Sequence, residues 1–258
     1  MNAVSNPVTI RNVTIGEGRP KICVPITGQT RSEILEEAGG FSSIPADLAE
    51  WRADWYEDVF DTERLLDTAE ALRKALGELP LLFTFRTKTE GGEKAVDDAL
   101  YRRLNLAIIE SGCVDLIDVE LFSMEAAAKE IISAAHDKNI TVIGSNHHFH
   151  ETPAQEEIVK RLCHMRQAGA DIPKIAVMPR SEQDVLTLLS ATLEMSRHHA
   201  DCPIITMSMA KTGLISRLAG ESFGSAVTFG SASKASAPGQ IGVRELKQVL
   251  DIIHGSLQ

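Results

Sequence analysis

Lys174 has the setting that most asks for a chemical role. It stands in Ile172-Pro173-Lys174-Ile175-Ala176-Val177-Met178, an apolar stretch with no other charge. At a period of two, Lys174, Ala176 and Met178 share one face of a strand. Lysine is seldom buried unpaired, and loss of solvation favours its neutral amine. Such an amine adds to a ketone or aldehyde and forms a Schiff base. The plainer alternative is a lysine at a strand start whose stem runs out to water. Lys211, in a Lys-Thr-Gly turn, is a rival amine in a more solvated setting. His147, in Ser145-Asn146-His147-His148-Phe149-His150, is the candidate proton carrier, because imidazole can act as base and then as acid. Three histidines in four positions also suggest a metal. Period two, however, sets His147 with Phe149 on one face and His148 with His150 on the other, so extended backbone does not bring all three to one ion. Glu90 or Asp118 can orient the imidazole. As plain structure they would be a loop cap and a core ion pair.

Arg52, Arg86 and Arg217 come from three separate segments. Guanidinium forks suit carboxylate or phosphate, and three converging on one mouth would call for an anion. Glu50 and the acids of Asp118-Val119-Glu120 could neutralise them internally instead. Residues 231–240, Ser-Ala-Ser-Lys-Ala-Ser-Ala-Pro-Gly-Gln, are long and small-residued. They suit a lid, a phosphate-binding loop or an ordinary surface loop.

These side chains need a scaffold, and the chain offers a regular one. Apolar runs at 22–27, 48–53, 81–86, 116–121, 141–145, 174–178, 204–209 and 226–230 read as strands. Between and after them, helical periods lie near 32–38, 61–76, 97–110, 124–138, 153–168, 182–198, 214–219 and 243–254. Thr152-Pro153 reads as an N-cap followed by proline at the first helical position, and Gly39-Gly40, Gly77, Gly112 and Gly169 fall where a left-handed residue would end a helix. Residues 9–18 read as a short hairpin. Eight such units in 258 residues predict an α/β fold of the (β/α)8 TIM barrel type with a short N-terminal β-hairpin, one catalytic domain over 1–258. A doubly wound open sheet is the alternative, though no G-x-G-x-x-G follows the first strand. In a barrel, the residues singled out above stand at strand ends on one rim, where active sites form.

Composition narrows the function classes. Hydrophobic residues make up 43% and charged residues 24%, ordinary for a globular protein, and a chain of this length can bury a large core. A formal net charge of −10 argues against a general nucleic-acid binder but not against a small anionic substrate. Neither a secretory signal nor a membrane-length apolar run is expected. Cys23, Cys113, Cys163 and Cys202 show no close pair, so they read as reduced thiols of a cytoplasmic protein.

Taken together, the segments resemble type I 3-dehydroquinate dehydratases. The matching pieces are Glu50-Trp51-Arg52-x-Asp54, Phe83-Thr84-Phe85-Arg86 with Glu90-Gly91-Gly92-Glu93, Asp118-x-Glu120, Ser145-x-His147-x-Phe149 and the Lys174 strand. Met207-x-Met209-x-Lys211-x-Gly213-x-x-Ser216-Arg217 and Ala235-Ser236-Ala237-Pro238-Gly239-Gln240 follow, in the family's order and one per unit. The resemblance implies the third step of the shikimate pathway, in which 3-dehydroquinate loses water to give 3-dehydroshikimate. It implies that Lys174 forms the imine, that His147 moves the proton in a syn elimination, and that Glu90 holds His147. It further implies that Arg217 binds the substrate carboxylate, that Glu50, Arg52, Arg86, Ser236 and Gln240 fix the ring hydroxyls and close the site, and that Asp118 supports it. No metal or organic cofactor is implied, and a homodimer is. Two positions depart from the family pattern: Pro25 stands where some members have a polar residue, and His148 where Asp or Asn is usual. The rival enzyme class is a Schiff-base aldolase or transaldolase on a sugar phosphate. The rival outside enzymes is an inactive barrel that binds a metabolite.

Overall fold

In the computed structural model, which describes residues 6–232 and 239–258, a hairpin of β1 (Val8–Ile10) and β2 (Val13–Ile15) precedes the main sheet. Its turn is tight, and Arg11 takes a left-handed φ of 52°. The eight apolar runs become β3 (Lys21–Ile26), β4 (Leu48–Arg52), β5 (Leu81–Thr84), β6 (Leu116–Glu120), β7 (Thr141–His148), β8 (Ile172–Val177), β9 (Ile205–Ser208) and β10 (Val227–Ser231). All are parallel, each pairs with the next from β3 to β9, and β10 pairs back onto β3. The seam between β9 and β10 is a single bridge, Ile204 to Ser225, with Ala226 N–H donating to Ile204 C=O at 2.8 Å. Ser225 Oγ takes up the Thr206 N–H at 3.0 Å, so the sheet closes although that edge is short. Closure excludes the open doubly wound sheet.

Helices α1 (Arg31–Gly39), α2 (Thr62–Leu76), α3 (Asp98–Ser111), α4 (Glu125–Asp137), α5 (Gln155–Gln167) and α6 (Glu182–Glu194) follow β3 to β8 in turn. Two short helices, α7 (Leu214–Leu218) and α8 (Gly220–Phe223), follow β9. A two-residue strand, β11 (Ile241–Gly242), adds to β10 before α9 (Val243–Leu257). The short β11 and α8 are too brief to carry a period and were not foreseen. Thr30, Asp61, Asp97 and Ser181 cap α1, α2, α3 and α6 through their side chains.

Two expected helix ends are corrected. Thr152 does not cap α5, which starts two residues beyond Pro153 with no side-chain cap. Its hydroxyl instead donates to Met178 C=O at 3.1 Å and ties two rim loops together. Gly39 and Gly40 are both right-handed, with φ −60° and −74°, because the chain runs on into the tight turn Gly40–Ser43. Gly77, Gly112 and Gly169 do take positive φ.

Strands covered on both faces lose the polar alternation of an edge sheet, which is why the runs read as continuously apolar. The outward residues, such as Val24 and Ile117, join Ile34, Leu72, Ile108 and Leu162 of the helices in one core. The inward residues near the strand starts, Leu48, Leu82, Leu116, Ile143, Ile172 and Ile205, form a second core, and Ile10 and Ile15 belong to it. The hairpin therefore plugs the end of the barrel opposite the rim. Ile15 is fully buried, so Ile15→Ala is expected to cost about 2–5 kcal/mol of stability. A lower urea midpoint at unchanged slope, with kcat of the folded enzyme intact, checks it. Two residues along five of these strands the inward layer turns polar, with Glu50, Thr84, Asp118, Ser145 and Lys174, all buried, while β9 places Met207 there. The polar layer rests on an apolar floor.

Candidate active site

Lys174 lies at the third residue of β8 and is 3% exposed. Its Nζ donates to Asp118 Oδ2 of β6 at 2.9 Å and sits 4.8 Å from the ring centre of Phe229. The other carboxylate oxygen, Oδ1, accepts from Arg86 Nη2 at 2.7 Å and Ser145 Oγ at 2.6 Å. Burial alone would raise the Asp118 pKa, but the charges of Arg86 and Lys174 outweigh it and hold the carboxyl well below its ordinary range. Asp118, Ser145 and Lys174 are inward residues of neighbouring strands brought together by the parallel register, and Arg86 joins them from just beyond the end of β5.

Glu90 reaches the cluster by a different route. It ends the short turn Lys88–Glu90, and Gly91 reverses the chain with a φ of 84°. A Cβ on Gly92 would stand 1.9 Å from the Arg86 carbonyl oxygen, so the turn closes only with glycine there. The fold-back places Glu90 Oε2 where it accepts from His147 N–H at 2.9 Å and from Nδ1 at 3.0 Å. An ionised Glu90 is acceptor-only, so it fixes the tautomer: Nδ1 carries the proton and Nε2 is left basic. Burial pushes His147 well below the ordinary histidine value, and the charges of Arg86 and Lys174 push the same way. Burial raises Glu90, against the pull of Arg86 and of hydrogen bonds from Ser123 and Asn146. Both shifts disfavour charge on the pair, which suits a base that starts neutral.

The three arginines sit differently. Arg86 Nη1 donates to Glu120 at 2.9 Å and Ser145 at 3.0 Å and lies 3.5 Å from Glu90, so strand acids neutralise it. Arg52 makes a two-pronged pair with Asp54, both contacts at 2.9 Å. Burial lowers the Arg217 guanidinium to about 10. Glu50 accepts from Thr84 Oγ1 at 2.9 Å. All four residues line one pocket, together with Glu90, His147, Lys174 and Gln240. Met207, Met209, Phe149 and Phe229 supply its apolar walls. Phe149 stacks beside His147 with ring centres 6.4 Å apart, as their shared strand face requires.

Ser236, and with it most of the 231–240 segment, lies outside the described residues. Lys211 is exposed and is absent from the pocket lining. His148 is half-buried, and burial and the nearby Arg161 lower its pKa. Pro25 is buried in β3 opposite Glu50 of β4. Among the described residues, no group of three His, Cys, Asp or Glu side chains is arranged to hold a metal ion.

Ser123, Asn146 and Phe229 escaped the sequence reading as site residues. Ser123 Oγ lies 2.7 Å from both Glu90 and Glu120 and steadies the acid pair. Its signal was faint: one serine just past a strand that already held two acids. Phe229 reads as core in any strand, and its place beside the lysine amine follows from barrel closure.

A buried amine, a neutral imidazole with a free Nε2 and cationic groups around one pocket can form an imine and move a proton next to it. The comparisons agree with that chemistry. The family model described as type I 3-dehydroquinase matches residues 22–257. The 3-dehydroquinate dehydratase of Bacillus licheniformis is 54% identical, over 97% of this chain and 98% of that protein. The enzyme of the same name from Listeria welshimeri is 56% identical, over 96% and 98%. Among solved structures, the Clostridium difficile type I 3-dehydroquinate dehydratase superposes with a TM-score of 0.95 at 52% identity, covering 97% of this chain and 99% of that one.

Proposed function

The chain belongs to the type I 3-dehydroquinase family, hydro-lyases that convert 3-dehydroquinate to 3-dehydroshikimate through a Schiff base, and from that premise we propose how its own residues do the work. Lys174 adds to the ring ketone, water leaves, and an imine joins Nζ to the substrate. The imine withdraws electrons, so the neighbouring C–H becomes acidic. His147 Nε2 takes that proton, with Glu90 holding Nδ1–H, and an enamine forms. The enamine expels the adjacent hydroxyl, which leaves as water with the proton that His147 returns. One base serving both transfers gives a syn elimination. Water then hydrolyses the imine, releases product and restores the amine.

Arg217 pairs with the substrate carboxylate, which offsets the burial that weakens its hold on its own proton. Glu50, Arg52, Arg86 and Gln240 meet the ring hydroxyls from the pocket wall, and Ser236 joins them from the segment beyond Ser231. Asp118 fixes both Lys174 and Arg86. One catalytic domain spans 1–258, and the working form is a cytoplasmic homodimer. The family resemblance supports the homodimer, and four cysteines without a close pair support the cytoplasm. No helix among the described residues is long and apolar enough to cross a membrane.

The observation that carries the mechanism is the placement of Lys174 and the Glu90–His147 pair on one pocket. The Clostridium difficile relative carries covalently modified comenic acid, which supports covalent chemistry in this family. Borohydride added during turnover of 3-dehydroquinate is expected to reduce the imine and mark Lys174, as read by peptide mass. A mark at Lys211 keeps the imine but moves the site. Product formation with no mark anywhere overturns the imine.

A further inference from the structure

The hydrogen bonds around Glu90 continue through the barrel wall to α5. Asn146 neighbours His147 in β7, so its side chain leaves the strand on the other face. Its Nδ2 donates to Glu90 Oε1 at 3.3 Å, and its Oδ1 accepts from Arg161 Nη1 of α5 at 3.1 Å. Arg161 is itself held on two further sides. Its Nε donates to Glu157 Oε1 one turn earlier at 2.7 Å, and its guanidinium carbon lies 4.5 Å from the Phe122 ring centre. An amide is two-ended, and a half-turn would aim its oxygen at the Glu90 carboxylate. A guanidinium has only donors, so it can donate only to the oxygen end of that amide.

We propose that Arg161 is a positioning residue for the dehydration: it locks the Asn146 amide in the orientation that donates to Glu90 and thereby holds Glu90 beneath His147. This inference rests on the acid–base reading of His147 and Glu90 given above. Arg161 touches neither the pocket nor the reacting atoms, and it acts through two hydrogen bonds in series. The titratable groups around Glu90 are Arg86, Asp118, Glu120 and His148, with His147 bonded to it. Glu157 and His148 face Arg161. Arg161 lowers the His148 pKa, and among the hydrogen bonds to Glu90 it reaches the one from Asn146.

Arg161→Gln is expected to lower kcat about tenfold, the scale of one hydrogen bond to a charged group, with KM little changed. The acid limb of the pH profile of kcat/KM moves to higher pH, because Glu90 loses a donor that favours its ionised form. Asn146→Ala does the same, and the double variant is no worse than Asn146→Ala alone. Arg161→Lys recovers part of the loss, since an ammonium also donates only to the amide oxygen. Each variant is also trapped with borohydride and 3-dehydroquinate. An Arg161→Gln chain that marks Lys174 and keeps the kcat and pH profile of the unsubstituted chain overturns the proposal and leaves the function standing. Additive losses with an unmoved acid limb overturn it too, since packing alone would give them. If Arg161→Gln does not fold, Asn146→Ala and Arg161→Lys decide: an unmoved acid limb in Asn146→Ala overturns the proposal. No mark on the unsubstituted chain removes the reading it rests on and the proposal with it.

Discussion

Lys174→Met lowers kcat by a factor on the order of 10⁵, the scale expected when a covalent nucleophile leaves a machinery that acts as a unit. Methionine keeps most of the side-chain volume and removes the amine. Asp118 retains Arg86 at 2.7 Å and Ser145 at 2.6 Å, so no buried carboxylate is stranded and the fold persists. The loss is therefore chemical. Following the conjugated enone of the product by its ultraviolet absorbance measures it, and the substituted chain takes no borohydride mark at position 174. Turnover near that of the unsubstituted chain would move the imine to another amine, with Lys211 the first to map.

His147→Ala separates imine formation from proton transfer. It lowers kcat by about 10²–10⁴, the range for a lost general base. Lys174 still adds to the ketone, so the imine accumulates and borohydride marks more of the protein at the steady state. Glu90 keeps Arg86, Ser123, Asn146 and the backbone N–H of residue 147 as neighbours, so the turn that carries it holds. The sign of the pH dependence follows from burial. His147 binds its proton more weakly than an ordinary histidine, so it stays basic as pH falls past the ordinary value. Activity is lost in acid only once the coupled His147–Glu90 pair takes up a proton. Faster turnover with less trapped imine in His147→Ala would remove His147 from the proton-transfer step.

Much of this architecture is written in local patterns. Each of the eight strands was legible as a short apolar run, and most helix ends fell within a few residues of the expected ones. The larger misses have physical causes. The strand that carries His147 runs three residues past its expected end, because β8 pairs with it through His148. The long helix near 182–198 widens into a π-turn, Met195–His199, which no helical period distinguishes from an α-helix. Lys174, His147, Glu90 and Asp118 stood out because a charged or titratable group beside an apolar run has few structural excuses.

By itself the sequence determined the residue types and their order along the rim: strand periodicity chooses which side chains point inward, and apolar content forces both faces of the sheet to be covered. Tertiary structure decided which of those groups pair. That Arg86 is neutralised by Asp118 and Glu120, that Glu90 holds the imidazole while Asp118 takes the lysine, and that Asn146 joins the site to Arg161 all depend on parallel register and on a glycine-made reversal. Hydrogen bonds and ion pairs act over about 3 Å. These contacts join positions 15 to 57 residues apart in the chain, which come within that reach only when the barrel closes.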